Sequence, residues 1–293
     1  MKVELIESVD EFISTTTTFR ATDPLRTNVI GSVALSVAEG DRSYDAYRWW
    51  IVRGDDGDVA GVAMRTSPFN MVVAPMSLDA ARALGRSVGQ FDDDLPGISG
   101  SRDVVDAFVE GYVESKSPGS TRAGNERRRD LLYELEELAT PEAEGFGRPA
   151  RDDEVEPLAA MLSEFIREVE LTPITAAEAR DAATRQIQRL SLYCWDVDGA
   201  IVAIAGHAPV VTTGSIVIGR VGPVYTPPQY RRRGFGSAVT SHVTRALIAK
   251  GARVMLFTDA ANETSNSIYQ AIGYRLVDEL VEMRFEGSGL FRN

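Results

Sequence analysis

Cysteine and histidine are almost absent from this chain of 293 residues, which holds one cysteine, Cys194, and two histidines, His207 and His242. A single cysteine excludes an intramolecular disulfide framework, and so few soft side chains do not make a zinc site. We therefore expect no metal cofactor. Long apolar runs are missing as well, because no stretch approaches the roughly 20 apolar residues that cross a membrane.

The first residues lack the pattern of a secretory signal. Glu4 interrupts the apolar segment at a place where a signal peptide keeps an unbroken stretch. With the lone cysteine, this predicts a cytoplasmic protein that has no membrane partner.

Positive charge is in short supply, with 31 Lys+Arg against 43 Asp+Glu and a net charge of −12. The excess of acidic over basic residues lies almost entirely in the N-terminal half. Residues 1–147 hold 15 Lys+Arg against 26 Asp+Glu, a balance of −11, and residues 148–293 hold 16 against 17, a balance of −1. Since binding to phosphate backbones needs an excess of Lys and Arg, we expect no nucleic-acid partner.

Length and composition together indicate two globular units. The chain is 44% hydrophobic and 25% charged, and its 293 residues exceed the size of about 250 at which single cores stop growing. Between Leu138 and Glu154, prolines and glycines interrupt every period and few apolar residues could anchor a core. The predicted domains are residues 1–147 and residues 148–293, joined by this segment.

The C-terminal half shows a clear alternation of helix-period and strand-period segments. The Asp198–Gly199 pair marks a tight hairpin, and Gly251 is placed to end a helix in the left-handed conformation. The order is ααβββαβαβ, a mixed α/β fold. The predicted elements are helices at 153–167, 176–190, after the loop at 231–237 and at 265–272, with strands at 192–197, 200–207, 215–225, 254–258 and 274–285.

The N-terminal half shows a fainter version of the same order. Its helices are predicted near 9–19, 25–37, 78–88 and 104–113, and its strands at 47–53, 59–66, 71–74 and 129–138. This is consistent with an internal duplication. The alternative is that helix pairs and hairpins recur by chance.

A glycine-containing loop follows the strand that ends in Val224–Tyr225–Thr226. The segment Arg231–Arg232–Arg233–Gly234–Phe235–Gly236–Ser237 opens the next helix. A helix N-terminus presents unpaired N–H groups and a partial positive charge, and glycines let the backbone approach a bulky anion. The spacing differs from nucleotide-hydrolysing loops and from the dinucleotide fingerprint. The loop therefore indicates an anion site of another kind.

A second motif lies downstream. The segment from Asn262 to Tyr274 reads Asn-Glu-Thr-Ser-Asn-Ser-Ile-Tyr-Gln-Ala-Ile-Gly-Tyr. The loop resembles the acyl-CoA loop of the GNAT superfamily of N-acetyltransferases, Gln/Arg-x-x-Gly-x-Gly/Ala. The downstream segment resembles that family's Asn-x-x-Ala/Ser-x-x-Leu/Ile-Tyr-x-x-x-Gly-Phe/Tyr signature. The resemblance covers about residues 150–286 and implies a mixed sheet flanked by helices, with acetyl-CoA as the co-substrate.

The resemblance also implies a role for individual residues. Tyr269 matches the tyrosine that acts as general acid toward the departing CoA thiolate, which suits a phenol of pKa about 10. In the family, backbone groups of the splayed strand pair with the pantetheine arm, the loop holds the pyrophosphate and the second motif contacts the cofactor. The matching positions are Val224, Tyr225 and Thr226 for the strand, Arg231, Arg232, Arg233, Gly234, Phe235, Gly236 and Ser237 for the loop, and Asn262 and Ser265 for the second motif.

The chain departs from the family where many relatives place a glutamate. The corresponding strand segments are Gly219–Gly222 and Met255–Phe257, which contain no carboxylate. The acceptor amine must still lose a proton. The alternatives are Glu164, Glu168, Glu170 or His207 as the base, an ordered water, or an acceptor of low pKa.

The N-terminal half has no counterpart of the loop, since Pro75–Asp79 follows its matching strand. It resembles a degenerate GNAT-like domain, which could wall the acceptor cleft, dimerise or stabilise the fold. The chain is expected to be a monomer or a homodimer.

Two functions stay open. The first is an N-acetyltransferase acting on a primary amine of a small molecule or peptide, and the second is an acyl-CoA-binding regulatory module with little turnover.

Overall fold

A computed structural model describes residues 1–41, 44–91, 95–116, 124–169 and 173–285. The strands are β1 (Lys2–Ile6), β2 (Tyr47–Arg53), β3 (Val59–Thr66), β4 (Met71–Val73), β5 (Gly97–Ser101), β6 (Gly124–Leu135), β7 (Phe146–Pro149), β8 (Leu192–Val197), β9 (Ala200–His207), β10 (Val211–Thr213), β11 (Ile216–Tyr225), β12 (Arg253–Asp259) and β13 (Tyr274–Phe285). The helices are α1 (Val9–Thr22), α2 (Asn28–Ala38), α3 (Leu78–Phe91), α4 (Arg102–Glu114), α5 (Val155–Glu168), α6 (Ala176–Gln188), α7 (Phe235–Ala249) and α8 (Glu263–Ile272).

The strands form one mixed sheet in the order β1-β2-β3-β4-β5-β13-β6-β12-β11-β9-β8-β7, with β10 beside β11. Pairing is parallel between β4 and β5 and between β11 and β12, and antiparallel elsewhere. Each outer part of the sheet has three antiparallel strands followed by a parallel pair. The mixed α/β fold class is confirmed, and the two halves repeat one strand order.

The closing strands of the two halves are exchanged at the centre of the sheet. β6, from the N-terminal half, lies between β12 and β13, and β13, from the end of the chain, lies between β5 and β6. The register joins Leu256 to Tyr133 on one side of β6 and Leu276 to Tyr133 on the other. The boundary at residues 147/148 stays a prediction about the sequence, because the sheet runs through both halves without a break.

Alternation along the strands divides the side chains between two faces of the sheet. On β2, Trp49 and Ile51 pack under α1 and α2, whereas Trp50 and Val52 pack under α3 and α4. The front face, as we call it, is covered by α1, α2, α5 and α6. The back face is covered by α3, α4, α7 and α8.

The segment predicted as a linker is partly structured. Its residues 146–149 form β7, which pairs with β8 at the edge of the sheet. Arg148 contacts Glu154 at 2.7 Å and Asp196 at 2.8 Å, and these hydrogen-bonded carboxylates raise the pKa of its guanidinium. The sequence suggested little anchoring here because the anchor is an ion pair rather than an apolar side chain.

The exchanged strands predict a single unfolding transition for both halves. Trp49 and Trp50 report on the N-terminal half and Trp195 on the C-terminal half. In a Trp195→Phe variant and in a Trp49→Phe/Trp50→Phe variant, we expect the thermal midpoint from fluorescence to coincide with that from far-ultraviolet circular dichroism. Two separate midpoints within one variant would contradict this expectation.

Candidate active site

β11 and β12 run side by side and then part. Their parallel pairing extends from Ile218–Arg253 to Val221–Leu256. Both strands continue beyond it, β11 to Tyr225 and β12 to Asp259, through residues that are all described. At Gly222–Pro223 the register with β9 shifts, which marks a bulge in β11. The backbone of Val224 and Tyr225 therefore pairs with β9 on one side and borders an opening on the other.

The loop that joins β11 to α7 bends through two left-handed residues. Arg232 has φ 64° and Gly234 has φ 79°. Gly234 is the N-cap of α7, and no side chain caps the helix. Left-handed residues in a turn of this kind can direct neighbouring backbone N–H groups toward one point, and the helix dipole adds positive potential there. A Cβ on Gly236 would lie 3.2 Å from Thr226 Oγ1, so the glycine keeps the backbone close to the end of β11. These features are those of an anion site at a helix N-terminus.

The three arginines of the loop have different surroundings. Arg231 donates to Glu168 at 2.6 Å and to the Thr226 carbonyl at 2.8 Å. Arg233 donates to Glu144 at 3.2 Å. Arg232 is exposed and forms no ion pair with any described residue. Of the three guanidinium groups, that of Arg232 can bind an anion without first giving up an ion pair with a described residue.

The second motif forms α8. Asn262 is the N-cap of this helix, and its Oδ1 accepts a hydrogen bond of 3.0 Å from the backbone N–H of Ser265. Asn266 donates to the carbonyls of Asp259 and Ala260 at 3.2 and 3.3 Å, which fastens the helix to the end of β12. Asn262 therefore has a local structural role besides any contact with a cofactor.

Tyr269 lies in the back-face core, on the helix that follows β12. It packs in one cluster with Val221, Leu256 and Phe235, the last paired residues of the two strands and the first residue of α7. Burial raises the pKa of Tyr269 to about 12, and a hydrogen bond with Ser265 opposes this increase. The phenol is therefore protonated at neutral pH and able to donate.

The front face of the opening carries polar groups of its own. The Tyr225 hydroxyl donates to Glu164 of α5 at 2.6 Å. Burial first, and Glu164 second, raise the pKa of Tyr225 to about 12. The sequence placed Tyr225 at the site for its backbone and Glu164 among several alternatives, and the structure joins the two side chains.

Arg220 is a residue of this face that sequence reasoning passed over. Its guanidinium donates from Nε to Asn28 Oδ1 and from Nη2 to Ser32 Oγ, both at 3.0 Å. Asn28 and Ser32 belong to α2, so the N-terminal half reaches the centre of the C-terminal half here. The sequence signal was a charged residue within the β-branched run of β11.

The remaining candidates lie elsewhere. Glu168 is paired with Arg231, and Glu170 lies outside the described residues. His207 is buried beside Tyr193, a back-face core residue, and burial lowers the pKa of its ring. Cys194 is buried, and burial raises the pKa of its thiol to about 12.

The N-terminal half has no loop at the equivalent point. Four residues separate β4 from α3, whereas nine separate β11 from α7. The Ser77 hydroxyl accepts a hydrogen bond from the N–H of Ala80 at 3.2 Å, which caps the first turn of α3. This half therefore lacks both the length and the free amides that an anion site needs.

Two kinds of feature are absent from the described part of the chain. No group of three or more His, Cys, Asp or Glu side chains there could hold a metal ion. None of its helices combines the length and the apolar character of a bilayer span.

Residues 214–283, which contain the loop and the second motif, match the family described as FR47-like protein. No curated protein matches the sequence. An acetyltransferase of the GNAT family from Colwellia psychrerythraea has a TM-score of 0.68 at 11% identity, and the match covers 98% of this chain and 100% of that one. A GCN5-related N-acetyltransferase from Sphaerobacter thermophilus has a TM-score of 0.62 at 14% identity, covering 96% and 95%.

A tandem GNAT protein from the clavulanic acid biosynthesis pathway has a TM-score of 0.58 at 14% identity, covering 96% of this chain and 98% of that one. At identities this low, the structural similarity establishes the fold alone. The structural resemblance extends over nearly the whole chain, whereas the motifs cover only its C-terminal half.

Proposed function

We propose that this chain, which has the fold of the GNAT acetyltransferases, transfers an acetyl group from acetyl-CoA to a primary amine of a small molecule or peptide. One observation carries the proposal. The opening between β11 and β12, the uncapped N-terminus of α7 and the buried Tyr269 meet around a single packed cluster. This arrangement supports a path for acetyl-CoA along which an anion site, a strand edge and a proton donor would act in turn.

The donor is held along that path by the backbone. Val224, Tyr225 and Thr226 offer the open edge of β11 to the pantetheine arm. The Thr226 carbonyl already accepts from Arg231, so the pairing there uses the other groups of the edge. The amides from Arg232 to Ser237 surround the diphosphate, with the Arg232 guanidinium as the cation beside it, and Arg231 and Arg233, each in an ion pair, add longer-range attraction. Asn262 and Ser265 contribute from α8, where the Asn262 amide group remains as a donor.

Tyr269 assists departure of the thiolate. The amine nitrogen attacks the thioester carbonyl carbon, the carbon–sulfur bond breaks, and the acetyl group remains on nitrogen. Tyr269 donates its hydroxyl hydrogen to the sulfur. A phenol of pKa about 12 gives up its proton less readily than an ordinary tyrosine. Its main contribution is therefore a hydrogen bond to the thiolate within a dry site.

Glu164 receives the proton that the amine loses. The hydrogen bond from Tyr225 brings this carboxylate to the front face of β11, opposite the side where Tyr269 lies. The proton acceptor Glu164 and the hydrogen-bond donor Tyr269 then stand on the two faces of the opening. This replaces the strand glutamate that the sequence lacks at Gly219–Gly222 and Met255–Phe257.

A Glu164→Gln variant tests this role. We expect kcat to fall about 100-fold, in the range for loss of a general base, with affinity for CoA unchanged. Glu156→Gln is the matched control, because Glu156 lies on the same helix and forms an exposed ion pair with Arg180. Equal kcat in the two variants would remove Glu164 from the mechanism.

The absence of a strand carboxylate favours a second function, an acyl-CoA-binding regulatory module. The two functions differ in turnover. We expect the wild-type chain to release thiol from acetyl-CoA in the presence of at least one class of primary amine. CoA binding without thiol release on any amine, in the wild type and in Tyr269→Phe alike, would favour the regulatory module.

A further inference from the structure

The end of α5 that carries Glu164 extends beyond the apolar core of the front face. Tyr225 packs in one cluster with the buried side chains of this helix, which are Leu158, Ala159, Met161 and Leu162. Residues 163–168 are all described, and none of them is buried, although Phe165 is partly buried against the same cluster. Because so little apolar contact holds these last residues, polar contacts set the position of Glu164 relative to β11.

Two polar contacts join this end of α5 to β11 and to the loop. The Tyr225 hydroxyl donates to Glu164 at 2.6 Å. One turn later, Glu168 accepts from Arg231 Nη2 at 2.6 and 2.7 Å, one distance to each carboxylate oxygen. Residues four apart lie on one face of a helix, so both glutamates face the end of β11. A further ion pair, between Arg167 and Glu164 at 3.8 Å, stays within the helix and cannot fix it to the sheet.

The guanidinium of Arg231 is itself fixed to the end of β11. Its Nε donates to the Thr226 carbonyl at 2.8 Å, and its central carbon lies 5.8 Å from the centre of the Tyr225 ring. The strand end therefore holds the arginine, and the arginine holds Glu168. Together with the bond from Tyr225 to Glu164, these contacts form a closed ring that joins β11, the loop and the end of α5.

We propose that Arg231 is a positioning residue for Glu164, which it holds at the opening between β11 and β12 through Glu168 and Tyr225. The proposal rests on the acetyltransferase function above, in which Glu164 takes the proton of the amine. The first arginine of the loop then serves the acceptor side of the reaction, whereas Arg232 and the loop amides serve the donor side. Displacement of a reacting group by about 1 Å can cost about 100-fold in rate, so a small movement of α5 is enough to be measured.

Removal of either partner of the ion pair tests this role. With saturating acetyl-CoA and an amine that the wild type acetylates, we expect kcat to fall about 10-fold in Arg231→Met and in Glu168→Ala. The double variant should fall no further than the slower single variant, because both changes remove one interaction. The conservative variant Arg231→Lys keeps the charge and should recover part of kcat.

Calorimetric affinity for CoA separates this role from an effect on the diphosphate. Glu168→Ala removes a negative charge near the loop, so it should bind CoA at least as tightly as the wild type while its kcat falls. If Arg231 acted on the diphosphate alone, Glu168→Ala would keep its full kcat. That result would overturn the role.

The matched control is the ion pair between Arg180 of α6 and Glu156, which joins α5 to α6 through bonds of 2.7 and 2.9 Å. Arg180→Met and Glu156→Ala should keep the wild-type kcat, and an equal loss there would also overturn the role. Glu144→Gln, which breaks the ion pair of Arg233, should keep it as well. Thermal midpoints should match the wild type in every variant, because exposed ion pairs contribute little to stability.

Failure of the acetyltransferase proposal gives a different result. If the wild type acetylates no amine, the position of α5 is judged by hydrogen exchange of the Val169 amide, which donates to the Phe165 carbonyl at 3.0 Å at the end of the helix. Faster exchange in Arg231→Met and Glu168→Ala than in the wild type and Glu156→Ala supports the role of the ion pair. Equal exchange in all four proteins overturns it.

Discussion

A Gly234→Asp variant is expected to lose at least 100-fold in affinity for CoA while staying folded. Gly234 has φ 79° at the N-cap of α7, so an aspartate there adds strain of about 1–2 kcal/mol and a negative charge at the diphosphate position. The added Cβ meets nothing closer than 3.5 Å, so the fold accommodates it. Isothermal titration calorimetry with CoA measures the affinity, and circular dichroism measures the fold.

Two control variants separate charge from strain. Gly234→Asn has nearly the same shape as Gly234→Asp but lacks its charge. We expect it to lose about 10-fold in affinity for CoA, since backbone N–H groups as well as charge bind the anion. Gly251→Asp places the same residue at φ 76° beyond the other end of α7, with no neighbour within 4 Å. It should keep the wild-type affinity. Unchanged binding in Gly234→Asp would show that the diphosphate binds elsewhere.

A Tyr269→Phe variant is expected to reduce kcat by about 100-fold with little change in CoA affinity. The hydroxyl acts on the leaving thiolate, so its loss falls on the chemical step, where general-acid assistance is worth about 10²–10⁴-fold. Because the pKa of Tyr269 is raised to about 12, the wild type should keep its kcat at pH values up to about 10, where an ordinary tyrosine is half ionised. Steady-state kinetics across this pH range provide both measurements.

Tyr274→Phe is the matched control for this experiment. Tyr274 is buried in the same cluster, with its ring 6.3 Å from that of Tyr269, and its hydroxyl is bonded to Thr244 at 2.6 Å. Its removal should lower thermal stability by about 1 kcal/mol and leave kcat within a few-fold. A similar loss of kcat in both variants would assign the effect to packing instead of proton donation.

Local patterns along the sequence predicted much of this fold. The strands at 47–53, 59–66, 192–197, 200–207 and 274–285 have the predicted bounds, because apolar alternation and Asp-Gly turns define them without help from distant residues. Gly251 has the left-handed conformation expected at the end of α7. The motifs of the loop and of α8 lie on the elements predicted for them.

The strands that sequence reasoning missed depend on distant neighbours. β5 contains Gly97 and Gly100 and has no alternation, yet a Cβ on Gly97 would lie 2.3 Å from the Met283 carbonyl. Its glycines are required by the close approach of β13, which arrives from the other end of the chain. The same holds for β7, where Arg148 is fixed by Asp196. A pattern of about a dozen consecutive residues cannot predict contacts of this kind.

The candidate site likewise combines parts that local sequence predicts with parts that depend on distant contacts. Short motifs indicated the residues that we propose bind acetyl-CoA, since the loop and the N-terminus of α7 are built from consecutive residues. The polar groups of the front face could not be predicted, because Arg220 and Asn28 are 192 positions apart in the sequence. Glu164 could be considered from the sequence, but only the contact with Tyr225 distinguishes it from Glu168.

The exchange of β6 and β13 has a consequence for the history of such a chain. When each half of a chain contributes its last strand to the other half, deleting either half exposes a strand edge in the half that remains. Here the loss of residues 1–147 would remove Tyr133 and expose the backbone of β12 from Met255 to Asp259. The N-terminal half, which lacks a counterpart of the loop at residues 231–237, therefore cannot be removed without disrupting the sheet that both halves share.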